Sequence, residues 1–257
     1  MQRTIGVLHP GEMGAGIAAQ LVLAGHRVLW ASEGRGAQTA DRARAAGLED
    51  AGSVADLAAA SEVILSICPP SAALEIATSL PAFTGVYVDA NPVAPATARA
   101  IAEAVTSRGA RFADGGIIGR APKAEGDVRV YLSGPAAGEA AAVFDGTVVG
   151  APVLSGGVGA ASAIKLAYAG WTKGTQALLL AVRALAEAEG VDEDLLAEWR
   201  LSLPQLEAQH AAAENAGRTK GWRWVAEMQE IADAMAAAGQ PDGFHRAAAD
   251  IFGRYDR

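Results

Sequence analysis

The stretch GVLHPGEMGAGIA, residues 6–18, predicts a strand that runs into a glycine-rich turn and then into a helix. In a G-x-G-x-x-G turn, the second glycine lets the backbone approach a pyrophosphate, and the third allows tight packing of helix on strand. Gly11 and Gly14 take these two positions, whereas His9 and Pro10 stand where the first glycine is expected. The first glycine only shapes the turn, so His9 and Pro10 are able to set it by other means. We therefore predict a dinucleotide-binding turn, with a plain strand–turn–helix as the alternative.

Outward from this turn, apolar strand segments alternate with helical segments. One of the helices starts with a capping-box pattern, Ser53 followed three residues later by Asp56. The second strand ends about twenty residues after the turn, where ribose recognition belongs. Alternating buried strands and helices predict a parallel sheet covered on both faces. The strand segments are TIGVLH, HRVLWAS, EVILSIC, GVYVDA, RFADGG, RVYLSG and TVVGAPVL.

The character of the sequence changes near Gly156. From residue 160 to residue 190 the chain has no proline and keeps helical spacing, and no convincing strand follows. We therefore predict an α/β fold with two domains. A Rossmann-type dinucleotide-binding domain spans 1–156, and an all-helical domain that begins with a long interdomain helix spans 157–257.

The overall composition narrows the class of partner. The chain has 257 residues and a formal net charge of -8, so electrostatic binding to nucleic acid or to anionic lipid is not expected. The single cysteine, Cys68, excludes an internal disulfide and favours a reducing compartment. We find no signal-peptide pattern and no apolar run of the roughly 18–20 residues that a membrane span needs. We expect a soluble, cytoplasmic protein that acts on a small molecule.

Four stretches resemble the motifs of the β-hydroxyacid dehydrogenases, the superfamily of 3-hydroxyisobutyrate dehydrogenase and 6-phosphogluconate dehydrogenase, to which imine reductases also belong. GVLHPGEMGAGIA resembles the opening GxIGLGxMGxxMA, and VDANPVAP resembles vDmSTxsP. FADGGIIG resembles the substrate-binding DAPVSGG, and GAASAIKLAYAG resembles GxxxKxxNN. The tail resembles a branch with a short helical C-terminal domain and largely unassigned substrates. The resemblance implies that Gly11, Glu12, Met13 and Gly14 hold the cofactor.

The segment WASEGRG, residues 30–36, bears on which nucleotide binds. An acid here takes the ribose 2′-hydroxyl of NAD, whereas small hydroxyl and arginine groups take the 2′-phosphate of NADP. Glu33 fits the first role, while Ser32 and Arg35 fit the second, and an arginine is able to pair bidentately with a phosphate. We expect NADP, with NAD as the alternative, because Glu33 would repel the phosphate if it pointed inward. Arg35 is otherwise a solvated surface charge.

Ligands of parallel sheets bind at the carboxyl ends of the strands, where the segment ICPP should lie. The resemblance implies that Cys68 and Pro69 contact the cofactor beneath the nicotinamide ribose. Cys68 is otherwise a small buried hydrophobe. Asn91 takes the family's serine position, where it would hydrogen-bond the carboxamide or the substrate. Its alternative role is that of an asparagine in a turn before proline.

Hydride transfer needs a group that exchanges the proton of the substrate's hydroxyl or amine. The resemblance puts Lys165 in that role, because a lysine in a partly dry cleft is able to act as acid or base. Tyr168 follows on the same helix face and is a second candidate acid. The family's paired asparagines fall on Tyr168 and Ala169, and the glutamate of the decarboxylating sugar-acid enzymes falls on Thr172. We therefore do not expect decarboxylation of 6-phosphogluconate.

The substrate segment ADGGIIGR also departs from the family pattern. The family's serine, which helps to hold a carboxylate, is replaced by Ile118. We expect Gly116, Ile117, Ile118 and Thr172 to line the substrate pocket, with the amides of Gly116 and Ile117 as anion donors and no metal ion. The leading hypothesis is an NAD(P)-dependent oxidoreductase that interconverts a small hydroxy acid and its oxo form. Reduction of a C=N bond and a dinucleotide sensor without turnover are the alternatives.

The helical part is too thin a layer to bury its apolar faces alone. The resemblance implies that it packs against a second subunit and helps to close its active site. Gly170 and Gly174, one turn apart, would allow close approach of the helices. We expect a homodimer.

Overall fold

The computed structural model of the chain describes residues 2–255. Seven strands form one sheet in the order β3-β2-β1-β4-β5-β6-β7. Strands β1 to β6 are parallel, and β7 pairs with β6 in the antiparallel direction. The order 3-2-1-4-5-6 is that of a doubly wound dinucleotide-binding sheet. The strands are Thr4–Leu8, Arg27–Trp30, Glu49–Asp50, Val63–Ser66, Val86–Asp89, Arg111–Gly119 and Val128–Ser133.

Three features of this sheet differ from the sequence prediction. The sheet is not wholly parallel, because β6 and β7 form a hairpin. The predicted strand TVVGAPVL forms only isolated bridges, Arg129 with Gly150 and Leu132 with Val153, and Pro152 within it has no N–H to continue a ladder. The edge strand β3 has two charged, exposed residues and gave no apolar signal.

Five helices connect the strands of this sheet, and a sixth helix with a short 3-10 turn follows β7. The predicted capping box is confirmed, because the hydroxyl of Ser53 accepts a hydrogen bond from the Asp56 amide at 3.1 Å. Pro70 and Pro95 begin their helices, where the missing N–H costs no hydrogen bond. The helices α1 to α6 are Glu12–Leu23, Ala37–Ala45, Val54–Ala60, Pro70–Ser79, Pro95–Thr106 and Ala137–Ala141, followed by the turn Ala142–Phe144.

Both faces of the sheet are covered, as predicted. Successive strand residues point to opposite faces, so Ile5 and Val7 belong to one buried cluster and Leu8 to the other. Gly6 lies between them on the second face. A Cβ at Gly6 would collide with the side chain of Leu57 on α3. The absence of a side chain at residue 6 therefore lets α3 pack directly on β1.

The remaining part of the chain is helical. Its helices α7 to α10 are Ala160–Ala188, Asp192–Ser202, Leu206–Ala237 and Gly243–Gly253. The chain divides into two compact units between Lys165 and Leu166, inside α7. This division lies on the C-terminal side of Gly156, near which the sequence predicts the domain boundary. Within residues 2–255, no helix is both long enough and apolar enough to cross a membrane.

The second unit uses its glycines for packing within the chain. A Cβ at Gly170 would lie 3.1 Å from the imidazole of His245 on α10, and one at Gly174 would lie 3.4 Å from it. The His245 ring also bonds the Gly170 carbonyl oxygen at 3.3 Å. The predicted close approach of a helix at these two glycines is therefore confirmed, and the approaching helix is α10 of the same chain. The predicted dimer itself stays a prediction.

Candidate functional site

The turn between β1 and α1 is short and tightly bonded. His9 has a φ of +64°, in the left-handed region that favours glycine. The Gly11 amide donates to the His9 carbonyl oxygen at 2.7 Å. His9 thus takes the conformation of the first glycine in the G-x-G-x-x-G pattern, at a cost of about 1–2 kcal/mol. This explains how His9 and Pro10 set the turn.

The two glycines of the turn serve different purposes. A Cβ at Gly14 would lie 3.0 Å from the His9 carbonyl oxygen and 3.7 Å from the Cβ of Ile67, so this glycine allows close packing. A Cβ at Gly11 would meet nothing within 4 Å. The turn is therefore open at Gly11, next to the first amides of α1, including those of Glu12 and Met13, which lack intrahelical acceptors. Open space beside a helix N-terminus fits the pyrophosphate of a dinucleotide.

The loop after β2 carries the residues predicted to read the nucleotide. Asp50, at the end of β3, accepts a hydrogen bond from the Gly52 amide at 2.8 Å. This bond and another from Ser32 lower the pKa of Asp50. The Ser32 hydroxyl is thus already paired with an acid, which sequence reasoning missed because Asp50 lies on an edge strand without an apolar signal. Glu33 in the same loop is exposed. The predicted ribose-binding region therefore carries two acids, Glu33 and Asp50.

Arg35, in the same loop, is exposed. Partial burial still lowers its pKa, and the negative form of Cys68 would oppose that change. Its charge also acts on His9. Arg35 therefore lies within electrostatic reach of the residues that follow β1 and β4, and not only beside Ser32.

The side chain of Asn91 connects the ends of β4 and β5. Its Oδ1 accepts from the Cys68 amide at 2.5 Å, and its Nδ2 donates to Ser66 Oγ at 3.1 Å and to Asp89 Oδ1 at 2.6 Å. Asn91 is 1% exposed, so its amide is committed to protein partners. It fixes the backbone of Cys68, which precedes Pro69 at the start of α4. Contact with the carboxamide or the substrate stays a prediction.

This network holds a half-buried thiol, Cys68, and a buried acid, Asp89. Burial and the nearby Asp89 raise the pKa of the Cys68 thiol to about 12, so the thiol is neutral. Burial and the charge of Asp114 raise the pKa of Asp89 to about 7, against the bond from Asn91. Asp89 Oδ2 and the Tyr87 hydroxyl have no hydrogen-bond partner among the described residues. An aspartate that ends a buried strand was the available signal for this cluster.

Asp114, in the predicted substrate segment, caps the long helix α7. Its Oδ2 accepts from the amides of Gly159 and Ala161 at 2.9 Å and from that of Ser162 at 3.1 Å. Ser133 Oγ donates to Oδ2 at 2.9 Å, and Ser162 Oγ donates to Oδ1 at 2.6 Å. A carboxylate at a helix N-terminus is stabilised by these amides and by the helix dipole. The sheet therefore fixes where α7 begins.

Lys165 lies one turn beyond this cap, against β6. A Cβ at Gly116 would collide with the Ala161 carbonyl oxygen and would lie 2.9 Å from the Cβ of Lys165. The predicted substrate segment and the predicted proton carrier are thus neighbours. The side chains of Ile117 and Ile118 are 9% and 4% exposed, so we find them buried in the interior, and the backbone at Gly116 is the part that faces Lys165.

The remaining predicted residues follow on α7. Tyr168 is 50% exposed. The Thr172 hydroxyl donates to the Tyr168 carbonyl oxygen at 3.0 Å, a bond within the helix. Lys173, one residue further, pairs with the buried Glu227 and lies over the ring of Trp224, 5.1 Å from its centroid. Among residues 2–255, no group of three or more metal-ligating side chains is arranged to hold an ion.

Two family models match the chain. Residues 4–142 match the NAD binding domain of 6-phosphogluconate dehydrogenase, and residues 186–255 match a domain of unknown function (DUF1932). An uncharacterized 28.5 kDa protein of Methanothermus fervidus is 29% identical over 64% of this chain. The mitochondrial 3-hydroxyisobutyrate dehydrogenase of Drosophila melanogaster is 25% identical over 51% of it. The matched regions span 63% and 42% of the lengths of these two relatives.

Solved structures extend this similarity over the full fold. The protein MTH1747, described as structurally similar to 3-hydroxyacid dehydrogenases, is 27% identical with a TM-score of 0.74, and the match covers 98% of this chain and 96% of that one. A reductive aminase from Aspergillus terreus in complex with NADPH has a TM-score of 0.64 at 20% identity, over 99% of this chain and 93% of that one. With the glycine turn and the sheet order, these matches show that the chain belongs to the β-hydroxyacid dehydrogenase superfamily and carries the NAD binding domain of 6-phosphogluconate dehydrogenase.

Proposed function

We propose that the chain is an NAD(P)-dependent oxidoreductase that interconverts a small hydroxy acid and its oxo form. The observation that carries the proposal is the contact between Gly116 and Lys165, which brings the substrate segment against the proton carrier. Residues 4–142 match an NAD binding domain, and this match supports a nicotinamide cofactor.

The dinucleotide would bind over the turn from β1 to α1. The open side of Gly11 and the first amides of α1 would hold its pyrophosphate. Cys68 and Pro69, held by Asn91, would support the nicotinamide ribose. We favour NADP because Arg35 is available for a 2′-phosphate, and relatives of the same fold are described in complex with NADPH or NADP+. NAD is the alternative, since the negative charges of Glu33 and Asp50 both disfavour a 2′-phosphate.

The chain's own residues would supply the proton and the orientation. When bound, the reduced nicotinamide supplies a hydride to the substrate carbon. The Lys165 ammonium gives a proton to the carbonyl oxygen, so that C=O becomes CH–OH and lysine is left as the neutral amine. Hydroxy-acid oxidation is the reverse, with the hydroxyl proton returning to Lys165. Tyr168, three residues on along α7, is the second candidate donor.

Reduction of a C=N bond is a second candidate function. It is favoured by the apolar substitution at Ile118, which removes the hydroxyl that would hold a carboxylate, and by the commitment of the Asn91 amide to protein partners. A reductive aminase shares the fold. An imine nitrogen would take its proton from Lys165 in the same way.

One experiment separates these functions. NADPH absorbance is followed with oxo acids, aldehydes and preformed imines, and NADP+ reduction is followed with the matching hydroxy acids. Turnover with oxo and hydroxy acids supports the first proposal, and turnover with imines alone supports the second. Tight cofactor binding without turnover of any substrate would instead indicate a dinucleotide sensor. Absence of NAD(P)H binding would overturn all three functions.

We also propose that two copies of the chain associate through α7. Trp171, Leu178 and Leu185, spaced by seven residues, are 74%, 56% and 63% exposed, and such a line of large apolar side chains is typical of an interaction surface. Light scattering should show a dimer that dissociates in Leu178→Glu but not in Leu23→Glu, whose leucine is exposed on α1. A wild-type monomer at micromolar concentration would overturn this proposal.

A further inference from the structure

We infer that the imidazole of His9 binds the diphosphate of the dinucleotide and takes up a proton from solvent when the cofactor binds. The inference rests on the proposed cofactor binding, but it adds a residue and a pH dependence that the glycine-turn pattern does not contain. Three features of the turn support this inference. Pro10 and Gly11 offer no free backbone N–H, the Nδ1 of His9 has no hydrogen-bond partner among the described residues, and Arg35 carries a charge that acts on His9.

The turn has few backbone N–H groups that are free to donate to a bound diphosphate. Pro10 has no N–H. The Gly11 amide donates to the His9 carbonyl oxygen at 2.7 Å and is therefore already used. The first amides of α1 remain for the anion. A further donor at this turn would have to come from a side chain, and His9 is the polar side chain within it.

The ring of His9 has an unused nitrogen. Its Nδ1 is buried and has no hydrogen-bond partner among the described residues. A buried nitrogen without a partner destabilises the free protein. Glycine would adopt the φ of +64° at residue 9 without strain, so the backbone alone does not call for histidine here. Phosphate oxygens accept hydrogen bonds and would satisfy the protonated ring nitrogen.

The surroundings of His9 keep the ring neutral before the cofactor arrives. Burial and then the charge of Arg35 lower the pKa of His9 to about 4, and the Leu8 backbone opposes this shift to a smaller extent. Cys68, near Arg35 on the β4 side, carries a neutral thiol. Glu12, in the first turn of α1, is exposed to solvent. Arg35 is thus the charge that acts on His9 from a neighbouring element.

A bound diphosphate reverses this electrostatic balance. Negative oxygens beside the ring raise the pKa of His9, because they favour its charged form. A group whose pKa rises on binding makes affinity highest at low pH. Affinity then falls by up to about tenfold per pH unit as pH rises towards the pKa of the bound state, and it is constant above that pKa.

The test measures NADH affinity from about pH 5.5 to about pH 8.5, the range of histidine titration. NADH carries the diphosphate without a 2′-phosphate, whose own ionisation near about pH 6 would add a second pH dependence. Binding is followed by nicotinamide fluorescence, and proton uptake by calorimetry in two buffers of different ionisation enthalpy. The wild type should bind more weakly as pH rises and should take up close to one proton at the acidic end.

Two variants of His9 and one control separate the roles of the ring. His9→Gly fits the left-handed conformation and should bind NADH about tenfold more weakly at the acidic end, without a pH slope. His9→Asn also tolerates this conformation and keeps a neutral donor, so its affinity should lie between the two, again without a slope. His26→Asn makes the same change at the opposite end of the sheet, where the ring accepts from the Arg3 amide at 3.1 Å, and should keep the wild-type slope.

The possible results of these titrations overturn different proposals. A wild type that binds neither NADH nor NADPH would overturn the proposed cofactor function and this inference with it. A wild type that binds without a pH slope, or a His9→Gly variant that keeps both slope and affinity, would overturn this inference alone. The same holds if His9→Asn retains the slope.

Discussion

Two buried aspartates lie side by side in the sheet, Asp89 at the end of β5 and Asp114 within β6. Asp114 accepts five hydrogen bonds, three of them from the first amides of α7. Asp89 accepts one from Asn91, and its second oxygen lacks a partner among residues 2–255. Two neighbouring carboxyl groups that are equally buried therefore have different structural roles. Asp114 fixes the helix that carries Lys165, whereas Asp89 supports the turn at Cys68.

The largest effect is expected on the Asp114 side, at Lys165. Lys165→Met keeps much of the aliphatic volume and removes the ammonium, so turnover should fall by roughly 10²–10⁴, the usual share of general acid–base catalysis. NADPH affinity should change little, because the glycine turn is untouched. Steady-state rates and fluorescence titration measure the two effects, with the exposed Lys123→Met as control. Near-normal turnover in Lys165→Met would contradict the assigned role, and Tyr168→Phe would then test the alternative donor.

The next effect tests whether Asp114 holds α7. Asp114→Asn puts an amide where the hydroxyl of Ser162 and three backbone amides now find acceptors, and it should lower the free energy of unfolding by about 3 kcal/mol. Urea denaturation followed by circular dichroism measures this loss. The exposed Asp145→Asn makes the same chemical change as a control. A loss as small as the control's would show that the cap does not stabilise the helix.

A smaller effect is expected at Asp89, and it depends on pH. Because the folded state raises the pKa of this acid to about 7, its protonated form favours folding, and that stability is lost as pH rises from about 4 to about 7. The wild type should be about 2 kcal/mol less stable at about pH 8 than at about pH 5 through this group. Asp89→Asn cannot ionise and should lose this part of the pH dependence. Identical pH profiles for variant and wild type would refute it.

The smallest effect concerns the nucleotide, on the Asp89 side. Arg35→Ala should weaken NADPH binding by about 1.5 kcal/mol, the scale of a hydrogen bond to a charged group, and leave NADH nearly unchanged. Arg44→Ala, an exposed arginine paired with Asp41 on α2, is the control. Equal losses for NADPH and NADH would show that Arg35 does not distinguish them. Arg35 would then be assigned to binding the diphosphate, which NADPH and NADH have in common.

The sequence was sufficient for features that depend on local patterns. The alternation of apolar strands and helices predicts β1, β2, β4, β5 and β6, and the spacing of Gly11 and Gly14 predicts the turn. Short-range chemistry also predicts the cap at Ser53. The resemblance places Lys165 and Gly116 in one site, and their contact agrees with this.

Features that depend on distant pairing were not predictable in this way. Asn91 bonds the Cys68 amide across 23 residues, and His245 meets Gly170 across 75. No local pattern encodes such partners, because they form only when separate elements pack. The same reason explains the missed bond between Ser32 and Asp50, since β3 is held by its neighbour and not by its own composition.

The cap at Asp114 also sets the rotational phase of α7. Asp114 bonds the amides of Gly159, Ala161 and Ser162, so the helix starts at a fixed angle around its own axis. The number of residues between the cap and Lys165 then determines that Lys165 lies on the side of α7 that faces Gly116. One residue inserted between Ser162 and Lys165 would rotate the lysine by about 100° around the helix axis, while the cap and the rest of the fold would stay nearly unchanged. The distance in sequence from cap to lysine is therefore a fixed count that tolerates substitution but not insertion.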